Sequence, residues 1–128
     1  MILLLDTHAL LWWITDSPRL SPRARGLMAD AGNELLWSVV SSWEVAIKNA
    51  VGRLPLPAPP ALFIPEHLAR NNVGTLPVQN AHAFRAGELP PHHRDPFDRM
   101  LIAQAQIEKI PLLSADRRMR PYELEVMW

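Results

Sequence analysis

Four residues near the start of the chain restrict its fold more than any other feature. Ile2-Leu3-Leu4-Leu5 is apolar without alternation and stops at Asp6. A strand with one face in water alternates apolar and polar residues. An unbroken apolar run ended by an acid therefore predicts a strand buried on both faces, in a parallel sheet covered by helices. The segments that follow agree. Thr7 opens a helix carried by Ala9 to Thr15, and Ser21-Pro22 supplies an N-cap serine and a first-turn proline for a second helix ending near Asp30. Glu34 to Ser38 reads as a second strand. Ser41 or Ser42 then caps a helix that runs to about Val51, with Gly52 as its stop.

Downstream, Ala61 to Asn71 repeats apolar residues at helical spacing, Val73 to Leu76 fits a third strand, and Gln79 to Gly87 makes another helix. Phe97 to Lys109 has the strongest helix propensity in the chain. Leu112-Leu113 is a fourth strand, and Leu124 to Met127 fits a fifth at an edge. Strands alternate with helices throughout, which predicts an α/β fold with a mostly parallel central sheet of four or five strands and right-handed crossovers. Residues 1–128 read as one domain, with 48% hydrophobic residues to form its core.

Composition narrows the chemistry. The chain has no cysteine, which removes disulfides, thiolate metal sites and cysteine nucleophiles. Its 13 basic and 13 acidic side chains cancel, so any nucleic-acid binding must rely on local patches. The longest later apolar run, Ala9 to Ile14, is far short of the roughly 20 residues needed to span a bilayer. No basic segment precedes Ile2 to Leu5 to make a signal peptide, so a cytoplasmic location with no membrane attachment is expected.

In open parallel sheets the functional crevice lies beyond the carboxyl ends of the strands. Asp6 ends the first strand and Asp116 follows the fourth, while Glu44 and Asp98 fall in the first turns of helices. Helix starts favour anions. Carboxylates packed together raise one another's pKa and resist joint ionisation, a difficulty that a divalent cation resolves. Oxygen ligands favour Mg²⁺ or Mn²⁺ over zinc, and Mg²⁺ held by a few carboxylates makes a phosphodiester the natural substrate. An acid at a helix start is also an ordinary cap or dipole partner, so position alone leaves both roles open for Glu44 and Asp98. Asp116 alone can simply begin a turn. Asp6, directly after a buried strand, must find partners.

Four ordered segments together resemble one family. They are Leu3-Leu4-Leu5-Asp6-Thr7-His8-Ala9-Leu10-Leu11-Trp12, Ser41-Ser42-Trp43-Glu44-Val45-Ala46-Ile47-Lys48, Arg94-Asp95-Pro96-Phe97-Asp98-Arg99-Met100-Leu101-Ile102-Ala103-Gln104-Ala105, and Leu112-Leu113-Ser114-Ala115-Asp116. In these the chain is similar to PIN domains, and among them to VapC-type toxins of bacterial toxin–antitoxin pairs. The resemblance implies a three-layer α/β/α fold, Mg²⁺- or Mn²⁺-dependent endonucleolytic cleavage of RNA, a homodimer, and inhibition by a small antitoxin, with which a higher assembly can form. It also implies that Asp6, Glu44, Asp98 and Asp116 are the catalytic, metal-holding quartet, with Thr7 and Ser114 as supporting hydroxyls. Asp6 and Asp98 are the firmest ligands. Glu44 coordinates directly or through water, and Asp116 holds a second ion or orients the site.

Around this quartet, Lys48, Arg94, Arg99 and Arg117 are the expected substrate-binding cations. Each has an ordinary alternative. Lys48 follows Glu44 by four residues, the spacing of a helical ion pair. The runs His92-His93-Arg94 and Arg117-Arg118 suit a solvated surface. Asp95 before Pro96 suits an N-cap. The five tryptophans suit core or interface. Aspartyl-phosphate phosphatases also place an aspartate after their first strand, but resemble Asp-x-Asp, and here the third position is His8. A phosphoacceptor signalling domain needs a second acid beside the first strand, which this chain lacks. The remaining alternative is a catalytically silent RNA- or protein-binding module on the same fold.

Overall fold

A computed structural model describes residues 1–128. The apolar run forms β1 (Ile2–Leu5), which lies at the centre of a five-stranded sheet between β2 (Glu34–Ser38) and β4 (Leu112–Leu113). Outside these lie β3 (Gly74–Leu76) and β5 (Val126–Met127), giving the order β3-β2-β1-β4-β5 with every pair parallel. Leu5 pairs with both Trp37 and Leu113, so the carboxyl ends of the three central strands lie level. The strand order reverses between β1 and β4, the topological position at which α/β sheets open a crevice.

Side-chain alternation along β1 explains the three layers. Leu3 and Leu5 face one core with Leu10, Met28, Trp37, Phe63 and Ile64, while Leu4 faces the other with Leu101, Ile102, Leu112 and Met119. Leu3, Leu4 and Leu5 are all fully buried, as the run predicts, whereas Ile2 at the strand's start is exposed. Helices α1 (Thr7–Ile14), α2 (Pro22–Ala29) and α4 (Pro60–Arg70) supply the first core. Helices α5 (Asn80–Glu88) and α6 (Pro96–Glu108) supply the second. The helix between β2 and α4, α3 (Val39–Ala50), serves both, with Val45 in one cluster and Val40 in the other. This is the expected α/β/α arrangement.

Local signals set most boundaries. Ser21 Oγ accepts from Ala24 N at 3.0 Å, with Pro22 following it. Gly52 takes a φ of 77° just past α3, a conformation that glycine adopts without steric cost. The start of α3 differs from expectation. Ser38, not Ser41 or Ser42, is the N-cap, its Oγ accepting from Val40 N at 3.1 Å. Ser41 and Ser42 lie inside the helix and bond other side chains: Ser41 lies against Thr7, and Ser42 accepts from Trp37 Nε1. Glu44 consequently sits in the second turn, beyond the reach of the dipole argument made for a first-turn acid. The fifth strand is also shorter than expected, Val126–Met127 alone pairing with β4.

Candidate active site

The four acids reach the crevice from four different elements, and their environments separate them into two kinds. Asp6, immediately after β1, is 7% exposed, and its Oδ2 accepts from Ser114 Oγ at 2.6 Å. Ser114 follows β4, so this bond joins the ends of the two central strands across the switch point. Burial raises the Asp6 carboxyl above the usual range, outweighing Ser114 and His8, and the charge of Glu44 adds to the rise. Asp98, in the first turn of α6, is pushed up to about 8, chiefly by burial and then by the negative charges of Asp6, Asp95, Glu44 and Asp116. No lysine or arginine forms an ion pair with either acid.

Glu44 and Asp116 have partners. Glu44 is buried, accepts from Thr7 Oγ1 at 2.6 Å on one carboxylate oxygen, and forms an ion pair with Lys48 Nζ through the other. Desolvation alone would lower the Lys48 pKa; the hydrogen bond and charge of Glu44 reverse this and raise it. Asp116 caps the short 3₁₀ helix Arg117–Met119. Its carboxylate accepts from Arg118 N at 2.9 Å, Arg118 Nε at 3.0 Å and Arg118 Nη2 at 2.9 Å. Burial works against its ionisation, but the Arg118 hydrogen bonds, followed by that of His93, overcome this and hold the group at about 2. Arg118→Ala is expected to move the Asp116 titration to higher pH in metal-free protein. Carboxylate-carbon NMR would detect this, and an unmoved titration would show that the pair does not form in solution.

The buried ring of His93 lies between two of the acids. Its Nε2 is 2.8 Å from Asp116 Oδ2 and 3.0 Å from Asp98 Oδ2. Beside Glu44, a cleft of about 290 Å³ is lined by Thr7, His8, Lys48 and Arg53, so cationic groups flank the acids on that side. With this geometry in view, the family assignment rests on sequence. A profile described as "PIN domain" matches residues 3–123.

The chain belongs to the PIN-domain family.

Two curated relatives are from Mycobacterium tuberculosis. Ribonuclease VapC22 is 33% identical over 120 residues, 93% of this chain and 90% of that protein. Ribonuclease VapC16 is 38% identical over 69 residues, 51% of this chain and 49% of that protein, about half the length of each. Among solved structures, VapBC2 from Rickettsia felis bound to a promoter DNA fragment superposes with a TM-score of 0.71 at 16% identity, covering 99% of this chain and 98% of that one. DNA-bound VapBC from Salmonella typhimurium gives 0.71 at 14% identity, covering 99% and 97%. At those identities the superpositions establish the fold.

The PIN domain brings Asp6, Thr7, Glu44, Asp98, Ser114 and Asp116 to one crevice, as their spacing suggested. The cations are distributed differently from expectation. Lys48 bonds Glu44 directly. Arg94 and Arg117 are exposed. Arg99 does not face the crevice as a free cation. Its guanidinium donates to four backbone carbonyls, Ala86 O and Leu89 O at 2.8 Å, His93 O at 3.0 Å and Pro90 O at 3.1 Å. These are carbonyls at the end of α5 and in the following loop, which a cation at a helix C-terminus satisfies well. Arg99 therefore holds the loop in place, and the substrate role assigned to it from sequence is withdrawn. Arg118, grouped in the sequence with the surface arginines, is instead the partner of Asp116. His93 went unrecognised because a histidine pair before an N-cap reads as polar surface. The only sequence clue was its place five residues before Asp98, within reach of the α6 start.

Proposed function

We propose that this PIN domain is a Mg²⁺- or Mn²⁺-dependent endoribonuclease, acting in the cytoplasm as the toxin of a toxin–antitoxin pair. One observation carries the reading: buried Asp6 and half-buried Asp98 share the crevice with carboxyls above the ordinary range and no lysine or arginine paired to either. Such a pair is costly to ionise unless an external cation joins it. The donor set is carboxylate oxygen and hydroxyl, which fits a hard divalent ion. Asp6 and Asp98 would hold that ion, with Glu44 adjacent and Asp116 completing the acidic rim. When bound, it supplies charge neutralisation at the scissile phosphate and an activated water.

The chain's own residues prepare this site. Ser114 fixes the Asp6 carboxylate at the switch point. Thr7 and Lys48 together set the Glu44 carboxylate, and Lys48 brings positive charge to the rim where phosphate oxygens approach. Arg94 and Arg117, both exposed, extend that positive rim and are proposed as backbone contacts whose affinity falls as salt rises. The VapC ribonuclease names of the relatives support RNA as substrate. The VapBC complexes among the structural neighbours support a small antitoxin as partner, and a homodimer is the assembly proposed with it.

Purified, antitoxin-free protein is expected to cut RNA with Mg²⁺ or Mn²⁺ and to stop when EDTA is added. Failure to cut both structured and single-stranded RNA in either metal would leave the silent binding module as the better reading. Asp6→Asn cutting as fast as the parent would reject the metal site.

A further inference from the structure

The imidazole of His93 is the one ring that touches two of the four acids, and every polar atom of the residue has a partner. Its backbone N–H donates to Tyr122 Oη at 2.8 Å, and its carbonyl accepts from Arg99 Nη1 at 3.0 Å. Tyr122 Oη in turn donates to Pro90 O at 2.6 Å. On the ring, Nδ1 accepts from Asp95 N at 3.2 Å. These contacts set the ring's position and tilt independently of the carboxylates it faces. Asp98 and Asp116 stand on different elements, α6 and the start of the 3₁₀ helix, and His93 Nε2 lies between them, hydrogen-bonded to Asp116 and 3.0 Å from Asp98 Oδ2.

We infer that His93 is a positioning residue that donates Nε2–H to Asp116 and, lying against Asp98, holds the two carboxylates at the separation a cation needs. The inference rests on the reading of the acids as a cation site. The alternative role, direct ligation by Nε2, conflicts with the ring's other edge. A ligating Nε2 must carry a lone pair, which moves the neutral ring's proton to Nδ1. There it would confront the Asp95 N–H, a donor against a donor. With the proton on Nε2, both ring nitrogens are satisfied. His93 Nε2 and the facing Asp98 and Asp116 oxygens lie within 4.8 Å of one another, so a small shift of either aspartate would open the site. Residues that orient metal ligands from outside the coordination sphere typically change metal affinity by about 10- to 100-fold when lost.

The test is Mn²⁺ binding to the full chain without RNA, followed by the electron paramagnetic resonance signal of free Mn²⁺. His93→Leu is expected to weaken binding by about 10- to 100-fold. His93→Gln, whose amide N–H reaches the Nε2 position, is expected to recover most of that loss. Electron spin echo spectra of Mn²⁺ bound to the parent protein should lack the modulation of a directly coordinated imidazole nitrogen. A folded Leu variant with parental affinity overturns the inference, and so does a coordinated-imidazole signal in the parent. If the Leu variant does not fold, the Gln variant and the parent's spectrum decide: binding lost in Gln as severely as in Asp98→Asn overturns it. Absence of Mn²⁺ binding by the parent is a different failure, overturning the cation-site reading and this inference with it.

Discussion

Asp98→Asn is expected to abolish RNA cleavage and yet to raise the melting temperature of the metal-free protein at pH 8. The loss of activity follows from removing one of the two acids without a protein cation. We expect at least roughly 10²-fold, the scale seen when one group stabilising transition-state charge is deleted. The gain in stability follows from linkage. The Asp98 carboxyl sits at about 8 in the folded chain against 3.8 for its ordinary value. Between those pH values the folded state holds a proton that the unfolded state has released. Stability contributed by this group therefore falls as pH rises from about 4 to about 8. Asparagine has no charge to bury, and its side-chain oxygen can occupy the place of Asp98 Oδ2 beside His93 Nε2. The advantage of the variant should be small at pH 5 and largest at pH 8. Mg²⁺ or Mn²⁺ should stabilise the parent but not the variant. Melting curves across this range are the measurement, and an advantage of equal size at pH 5 and pH 8 would contradict the assigned protonation. A site that weakens the fold until it is filled is a common exchange of stability for activity.

Arg99→Leu should cost about 3 kcal/mol of folding stability, or roughly 10 °C in melting temperature. One guanidinium satisfies four carbonyls there, and hydrogen bonds to charged groups contribute about 1.5–3 kcal/mol singly without adding in full. Arg99→Lys should recover little, because a single ammonium cannot span four acceptors that a planar fork reaches together. Denaturant unfolding alongside RNA affinity separates this role from substrate binding. A substrate arginine would leave stability unchanged and weaken RNA binding with a shallower salt dependence. That outcome would restore the reading first made from sequence.

Arg99 also marks where sequence stops being informative. The sheet was legible because β1 carries its burial in its own residues, Leu3, Leu4 and Leu5 being apolar on both faces. The acids were legible because Asp6 and Asp116 lie just beyond strand ends, Glu44 lies in the helix after β2 and Asp98 opens a helix, and topology sends those points to one crevice. An arginine, by contrast, carries the same charge whether it faces phosphate or backbone carbonyls. Only the loop folding back over α6 decided between them. The same holds for His93, whose partners Tyr122 and Asp116 lie more than twenty residues away, at separations of 29 and 23. The start of α3 was misread for a local reason. Serine is a common N-cap and three stand close together here, but Ser38 reaches Val40 N first and the later serines are interior.

The bond between Asp6 and Ser114 joins residues 108 positions apart. Its consequence is temporal. As the chain is synthesised, β2 and β3 emerge in time to pair on one side of β1, but the other side waits for β4 more than a hundred residues later. Contacts this distant in sequence form late, because loop-closure entropy must be met first. Until β4 docks, Asp6 lacks its serine, and Asp116 beyond β4 has not joined the cleft. The growing polypeptide on the ribosome thus carries no complete acidic cluster until nearly all of the fold is in place.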